Sequence, residues 1–189
     1  GDDTEAYFNR GHVRHKAGRF DEAIVDYDPA IRVDARHVKA YVNRASAKSE
    51  LGRFDEALVD YARAIELRPD FAETYYNRGV VRHRRGDFIG AIEDFDRQLS
   101  IEKDSPDGLY SRGIANAALG RFAEAVRDFT RAIEVKPDYP EAYADRGGFR
   151  LALNDFGGIA DLEEALRRAP PDWPHRATVG AHLQAARRK

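Results

Sequence analysis

The sequence lacks cysteine altogether and contains a single tryptophan among its 189 residues. Without cysteine the chain can form no disulfide and offers no thiolate as a nucleophile or metal ligand, and the redox compartment stays undetermined on this ground. Long apolar runs are missing too, since no segment approaches the roughly 18 residues that a membrane-spanning helix needs. We therefore expect neither a disulfide scaffold nor insertion into a membrane.

An excess of charge of either sign is also missing. The chain has 31 Lys and Arg against 33 Asp and Glu, which gives a formal net charge of −2. Non-specific binding to nucleic acid requires a basic face that neutralises phosphates. The balance of charge therefore indicates that nucleic acid is not a partner.

Methionine is absent as well, and the chain begins at Gly1. We interpret it as a processed or trimmed piece from which a targeting segment can have been removed. On this interpretation we expect a cytoplasmic protein with a trimmed amino terminus.

What the sequence does contain is one pattern that recurs every 34 residues. The phenylalanine of each copy is Phe20, Phe54, Phe88, Phe122 or Phe156. An earlier aromatic residue or leucine is Tyr7, Tyr41, Tyr75, Leu109 or Tyr143. The small residue one turn after it is Gly11, Ala45, Gly79, Gly113 or Gly147. The residue two positions before the phenylalanine is Gly18, Gly52, Gly86, Gly120 or Asn154.

This pattern resembles the tetratricopeptide repeat, a helix–turn–helix unit of about 34 residues. The resemblance covers the chain from Thr4 to about Asp172. It implies an all-α fold, a right-handed α-solenoid of stacked hairpins, in a single domain over residues 1–189. We place the five repeats at 4–37, 38–71, 72–105, 106–139 and 140–172, with a capping helix at 174–188.

The second copy shows why the unit forms a helical hairpin. Gly52 ends the first helix, because a left-handed backbone costs glycine little. Asp55 and Glu56 place negative charge in the first turn of the second helix, where the helix dipole favours it. Pro69 follows the end of that helix. One hairpin cannot bury its apolar face alone, so its stability depends on stacking against neighbours.

The two terminal copies depart from the pattern. Pro29 falls inside the second helix of the first copy, where it removes a backbone donor at a cost of about 3 kcal/mol unless a kink absorbs it. The fifth copy is one residue short after Phe156. We expect a bent or shortened second helix in both copies.

An arginine and an aspartate recur in every copy. The arginines are Arg10, Arg44, Arg78, Arg112 and Arg146. The aspartates are Asp26, Asp60, Asp94, Asp128 and Asp161. Residues 10 and 26 lie at one level of their hairpin, and residues 26 and 44 are symmetric about the next turn. We therefore predict a structural ladder of Arg–Asp pairs between neighbouring helices, with little net gain in stability from each buried pair.

In the family that the chain resembles, the first helices line a concave groove that receives a partner peptide. Asn9, Asn43 and Asn77 recur on this face, in a row that resembles the asparagine ladder of the sugar transferase that modifies protein Ser and Thr. A carboxamide can pair with any peptide backbone, although it can equally bond to neighbours or water. The lysine of the family's chaperone-tail clamp is replaced at every copy, so we do not expect that ligand. The replacing residues are Phe8, Val42, Tyr76, Tyr110 and Ala144.

The groove face changes from polar to apolar along the chain. Its polar residues are His12, His15, Lys16, Ser46, Ser49, His83 and Arg84. Its apolar residues are Ile114, Ala117, Ala118, Gly148, Leu151 and Ala152. Tyr76 and Tyr110 lie between them, and Lys39 interrupts an acidic edge. That edge is formed by Glu5, Glu73, Asp107 and Glu141. The pattern predicts a partner segment with a polar end and an apolar end, unless the capping helix buries the apolar half.

No chemistry-bearing motif accompanies the repeats. His12 and His15 share a helix face, but no recognised spacing of metal ligands occurs, so we expect no metal and no other cofactor. Since no nucleophile–base pair or phosphate loop is present either, we do not expect an enzyme. The sequence indicates a protein–protein interaction scaffold that grips an extended peptide or a helix, as a monomer or weak homo-oligomer. The alternatives are a self-associating structural scaffold and a regulatory arm of a larger enzyme.

Overall fold

A residue with a left-handed backbone ends the first helix of each hairpin. The φ angles of Gly18, Gly52, Gly86 and Gly120 lie between +73° and +82°, and Asn154 adopts φ +60° in the fifth copy. Glycine carries no Cβ to clash in this region, and Asn is among the few other residues that tolerate it. The predicted turn at Gly52 is therefore confirmed.

The computed structural model describes residues 2–188, with side chains from residue 4. Within that range the chain is all α, without a strand, as the sequence predicts. The helices are α1 Asp2–Lys16, α2 Phe20–Val33, α3 Val38–Glu50, α4 Phe54–Leu67, α5 Ala72–Arg84, α6 Phe88–Ile101, α7 Pro106–Ala118, α8 Phe122–Val135, α9 Pro140–Ala152, α10 Gly157–Arg168 and α11 Arg176–Ala186. None of these helices is both long enough and apolar enough to cross a bilayer.

The chain divides into two compact units, Gly1–Ile101 and Glu102–Lys189. In the first unit each helix from α1 to α6 packs against the next one, and in the second unit the same holds from α7 to α11. The first helices also touch one another, α1 with α3 and α3 with α5, and α9 touches α11. Each unit is thus a stack of hairpins, the arrangement of an α-solenoid.

The two helices of a hairpin approach closely where a small residue faces a ring. A Cβ atom on Gly79 would lie only 2.8 Å from Cε1 of Phe95, and one on Gly113 would lie 2.7 Å from Cε1 of Phe129. Both rings are almost completely buried. The missing side chain therefore makes the space that the ring of the second helix fills.

The second helices of the first and fifth repeats, α2 and α10, respond differently to their departures from the repeat pattern. Despite Pro29, α2 has 14 residues, the same length as α4, so the shortening that we expected does not occur there. Proline withholds the amide that would bond to the carbonyl of Val25, and the side chain of Val25 is 65% exposed, so this carbonyl lies on the solvent side of the helix. In the fifth copy α10 is shortened to 12 residues, and Phe156 is 65% exposed.

The last helix packs against the fifth hairpin. It is slightly shorter than the predicted 174–188, and it contacts α9 and α10. Val179 and Leu183 of α11 join Leu162 of α10 and the preceding Trp173 in one buried cluster. The end of the second unit is thereby shielded from water.

Two glycines of the second unit allow the cost of backbone strain to be measured where an added side chain meets no steric clash. An added Cβ finds no atom within 4 Å at Gly120 or at Gly148, but only Gly120 has a positive φ, of +73°. We predict that Gly120→Ala lowers the free energy of unfolding by about 1–2 kcal/mol. Gly148→Ala should instead raise it by up to about 1 kcal/mol, because alanine is the better helix former. Urea unfolding followed by circular dichroism measures both, and equal effects at the two sites would contradict this account.

Candidate functional site

Each hairpin holds a buried aspartate in a bidentate pair with an arginine. In the third copy Nε of Arg78 donates to Oδ2 of Asp94 at 2.9 Å, and Nη2 donates to Oδ1 at 2.6 Å. Asp94 is only 2% exposed. The same contact joins Arg10 to Asp26, Arg44 to Asp60, Arg112 to Asp128 and Arg146 to Asp161. The structure thus brings together each predicted pair within one hairpin.

A second donor reaches every one of these carboxylates, and the sequence analysis missed it. Nζ of Lys48 lies 2.7 Å from Oδ2 of Asp60, and Nη1 of Arg82 lies 3.1 Å from Oδ2 of Asp94. The donors at this position, one helical turn after the paired arginine, are Arg14, Lys48, Arg82, Asn116 and Arg150. The regular spacing was visible in the sequence, but Asn116 breaks the row of cations.

The connection to the preceding hairpin differs from the predicted one. We expected Asp26 to contact Arg44, but the oxygens of Asp26 accept from Arg10 and Arg14. Nη1 of Arg44 instead donates to Oδ1 of Asp28 at 2.7 Å. Asp28 lies one position beyond Tyr27 on α2, so the ladder passes between hairpins through a different residue from the one within them.

Each unit has a face formed by its first helices, α1, α3 and α5 in the first unit and α7, α9 and α11 in the second, and this face is here called the first-helix face of that unit. Asn9 is exposed on this face, whereas Asn43 and Asn77 are half-buried. Burial raises the pKa of the adjacent Tyr27 to about 12, and the Asn43 amide offsets part of that rise. The asparagine row therefore occupies one side of three neighbouring helices.

A cavity of about 250 Å³ opens on the first-helix face of the first unit. We call it the amino-terminal cavity, and its lining residues are Phe8, His12, Lys39, Val42, Asn43, Phe71 and Glu73. It brings together His12, Lys39 and Asn43, which the sequence analysis selected, on an apolar floor. Lys39 and Glu73 are exposed at its edge and make no ion pair with another residue of the described range.

Several other selected residues lie outside this cavity. The His83 ring packs at 5.1 Å from that of Phe88, and burial lowers the pKa of His83. Arg84 donates to Oγ of Ser49 at 3.2 Å and so is held near the end of its helix. Lys16 is exposed at the end of α1.

His15 and His83 add little positive charge to the polar end of the groove face. Burial lowers the pKa of His15 as it does that of His83, and His12 acts in the same direction on His15. Both rings are therefore uncharged near neutral pH.

The aromatic residues chosen for the middle of the face pack inward. The Tyr76 ring lies 6.0 Å from that of Phe95, and the Tyr110 ring lies 5.6 Å from that of Phe129. Ile114 is half-buried on α7. Their faces therefore contribute to the core of each hairpin as well as to the surface.

The first-helix face of the second unit has a cavity of about 200 Å³. We call it the carboxy-terminal cavity, and its lining residues are Tyr110, Glu141, Ala144, Asp145, Trp173, His175, Thr178, Val179 and His182. The Tyr110 hydroxyl donates to Oδ2 of Asp145 at 2.7 Å, and Nε1 of Trp173 donates to Oε1 of Glu141 at 2.8 Å. Burial raises the pKa of Asp145 despite the bond from Tyr110. Asp145 occupies the position of the fifth repeat that corresponds to Asn43 in the second.

The capping helix borders the apolar half of the face without covering all of it. Leu151 is half-buried against the cluster that contains Val179, whereas Gly148 and Ala152 remain exposed. A third cavity, of about 370 Å³, lies between α9 and α11, with Phe156 at its rim. In the described part of the chain, no group of three or more His, Asp or Glu side chains is placed to hold a metal ion.

Comparisons with known proteins agree with this geometry. A family model described as TPR repeat matches residues 46–86, and two described as tetratricopeptide repeat match residues 8–57 and 106–139. No curated protein matches the chain in sequence. The chain belongs to the tetratricopeptide-repeat family, whose repeats serve as protein–protein interaction scaffolds.

Solved structures share the fold at low sequence identity. A MamA protein is 21% identical with a TM-score of 0.80, over 89% of this chain and 92% of its own. PilW, described as a type IV pilus biogenesis factor, is 18% identical with a TM-score of 0.85, over 97% and 85%. YrrB, described as a TPR protein with an unusual peptide-binding site, is 17% identical with a TM-score of 0.77, over 95% and 90%.

The Asp94 network can be tested by a double-mutant cycle. Asp94→Ala leaves the guanidinium groups of Arg78 and Arg82 facing each other without a carboxylate, so we predict a loss of about 3 kcal/mol in the free energy of unfolding. The cycle with Arg78→Met should give a coupling of at least about 1 kcal/mol.

Arg63→Ala is the control for this cycle, because its ion pair with Glu66 is exposed and its loss should cost much less than Asp94→Ala. A zero coupling between positions 78 and 94 would show that this ion-pair network does not stabilise the fold.

Asp145 should reduce the stability of the unliganded protein near neutral pH. A carboxyl with a raised pKa contributes stability below its unfolded pKa, near 3.8, and this contribution is lost as pH rises through the folded value. We predict that Asp145→Asn, which keeps an acceptor for Tyr110, raises the free energy of unfolding at pH 7 by about 1 kcal/mol. The gain should disappear below about pH 4, as measured by urea unfolding at several pH values.

Asp155→Asn is the matched control in the same unit. The pKa of Asp155 is lowered by the Gly157 backbone amide and Arg150, so neutralising it should give no gain at pH 7. The prediction is contradicted if the Asp145→Asn protein is less stable than wild type at neutral pH.

Proposed function

We propose that the chain binds an extended peptide or a helix of a partner protein along its first-helix face. The observation that carries this proposal is the amino-terminal cavity, in which one face offers an apolar floor and unused polar groups together. Its floor is formed by Phe8, Val42 and Phe71. Apolar anchors that enter such a floor supply most of the energy of an interface.

The polar groups of this face remain available because the ion-pair network is built elsewhere. The paired aspartates lie on the second helices, and the arginines that reach them are held inside the hairpins. Among the described residues, no hydrogen bond occupies the side-chain amides of Asn9 or Asn77. A carboxamide both donates and accepts, so it can bond to a peptide unit whatever the side chains of the partner.

The edge of the cavity adds charge of both signs. Lys39 and Glu73 lie on neighbouring helices at its rim. Two opposite charges favour a partner segment with complementary charges and suppress a wrong register more than they add affinity. The peptide-binding site described for YrrB is consistent with this use of the fold, although that likeness extends to the fold alone.

The proposal predicts which substitutions weaken binding. A partner is first isolated with the wild-type chain, and its affinity for variants is then measured by calorimetry. Asn43→Ala combined with Asn77→Ala should weaken binding by at least about tenfold, or 1.4 kcal/mol, because two amide contacts are lost.

The matched control lies on the second helices. Val25→Ser combined with Val59→Ser changes two side chains that are 65% and 68% exposed, and it should leave the affinity unchanged. If the asparagine variant binds as tightly as wild type while the valine variant does not, the partner uses the opposite face and the proposal fails.

A further inference from the structure

The two cavities of the first-helix face occupy the same positions of the repeat, three repeats apart. Four lining residues of the amino-terminal cavity are Phe8, Lys39, Val42 and Asn43. Their counterparts in the carboxy-terminal cavity are Tyr110, Glu141, Ala144 and Asp145. The backbone frame is therefore shared, and the difference between the cavities lies in the side chains.

The side chains give the two cavities different charge: the amino-terminal cavity has one lysine and one glutamate, and the carboxy-terminal cavity has two carboxylates. Lys39 is replaced by Glu141, and the neutral Asn43 is replaced by Asp145. The remaining titratable groups that face the second cavity are Tyr110 from α7, and His175 and His182 from the segment that includes α11. The carboxy-terminal cavity is thus lined by two carboxylates and no lysine or arginine.

Asp145 differs from the repeated aspartates of the chain in lacking a cation. Asp26, Asp60, Asp94 and Asp161 each receive two cationic side chains, and Asp128 receives one. No lysine or arginine of the described range forms an ion pair with Asp145 or Glu141. A carboxylate buried without a counter-ion is unfavourable, and a bound cation would remove that cost.

Each carboxylate keeps one oxygen for such a cation. The Tyr110 hydroxyl bonds to Oδ2 of Asp145, and the Trp173 indole bonds to Oε1 of Glu141. Oδ1 of Asp145 and Oε2 of Glu141 are then left to accept from a ligand. The rings of Tyr110 and Trp173 also line the cavity, and aromatic rings attract ammonium and guanidinium groups.

We propose that the carboxy-terminal cavity binds a lysine or arginine side chain of the partner segment, with Asp145 and Glu141 as its acceptors. This assignment rests on the proposed function and adds the chemistry of one partner residue. The amino-terminal cavity, with Lys39 and Asn43 at the equivalent positions, does not select a cation. The two cavities therefore differ in whether they select a cation.

Trp173 provides a direct reporter, since it is the single tryptophan of the chain and its indole N–H bonds to Glu141. The full chain labelled with ¹⁵N is titrated with an acetylated, amidated alanine peptide that carries one central lysine, up to about 10 mM. The indole resonance should shift and saturate. The same peptide with norleucine in place of lysine should bind at least tenfold more weakly, because it keeps the length and loses the charge.

Two variants of the second unit complete the test. Asp145→Asn should weaken lysine-peptide binding at least tenfold, whereas Asp155→Asn, which removes an exposed carboxylate outside the cavity, should leave it unchanged. Binding to the wild-type chain should weaken as pH falls through the raised pKa of Asp145, because protonation removes its charge. His175 and His182 also face this cavity, so the pH arm is judged only alongside the Asp145→Asn variant.

The inference is overturned if norleucine binds as tightly as lysine, if Asp145→Asn binds normally, or if no peptide shifts the indole. Its failure can be told apart from failure of the proposed function. A partner that depends on Asn43 and Asn77 but not on Asp145 leaves the proposed function standing and rejects the cation site. A lysine peptide that binds at Asp145 while the partner ignores the asparagine row supports the cation site and rejects the proposed function.

Discussion

The close approach of the two helices in each hairpin is the constraint on which the rest of the structure depends. It requires a small residue on the first helix opposite a ring on the second, as Gly79 lies opposite Phe95. A larger side chain at that point would force the helices apart and open the core. Because the contact recurs at one position of every regular copy, all hairpins have the same spacing and can stack.

This spacing also determines where charge is placed. With the helices in contact, an arginine of the first helix reaches an aspartate of the second at the same level, as in the pair of Arg78 with Asp94. The second helices thus hold their carboxylates inside the hairpins. The first helices keep one side free for amides, rings and unpaired charges, and this division of the surface is what makes the first-helix face the candidate for binding.

Much of this could be predicted from the sequence because repetition makes each position observable several times. The turn at Gly52 and the pairing level of Arg78 with Asp94 follow from spacing, and the all-α fold follows from the resemblance to the tetratricopeptide repeat. Contacts between hairpins could not be derived in this way. The acceptor Asp28 is replaced by Ala62 in the second copy and recurs as Asp96 in the third, so its row is irregular, unlike the row of Asp26 and Asp60.

The unpaired carboxylate at Asp145 escaped notice for a related reason. A row of residues shows identity but not which cations fold close to it, as the contact of Lys48 with Asp60 illustrates. For Pro29, sequence alone does not tell whether the lost helical bond lies on the core side or on the solvent side. In each case the sequence does not show which residues, or which solvent, surround the group in the folded chain.

The most direct test of the central claim places a photo-crosslinking amino acid on either side of the hairpins. One variant carries it at Glu73, on the rim of the amino-terminal cavity, and the other at Val59, exposed on α4. With the isolated partner present, irradiation should crosslink the variant at position 73 and leave the one at position 59 uncrosslinked. Efficient crosslinking at position 59 with none at position 73 would contradict the assignment of binding to the first-helix face.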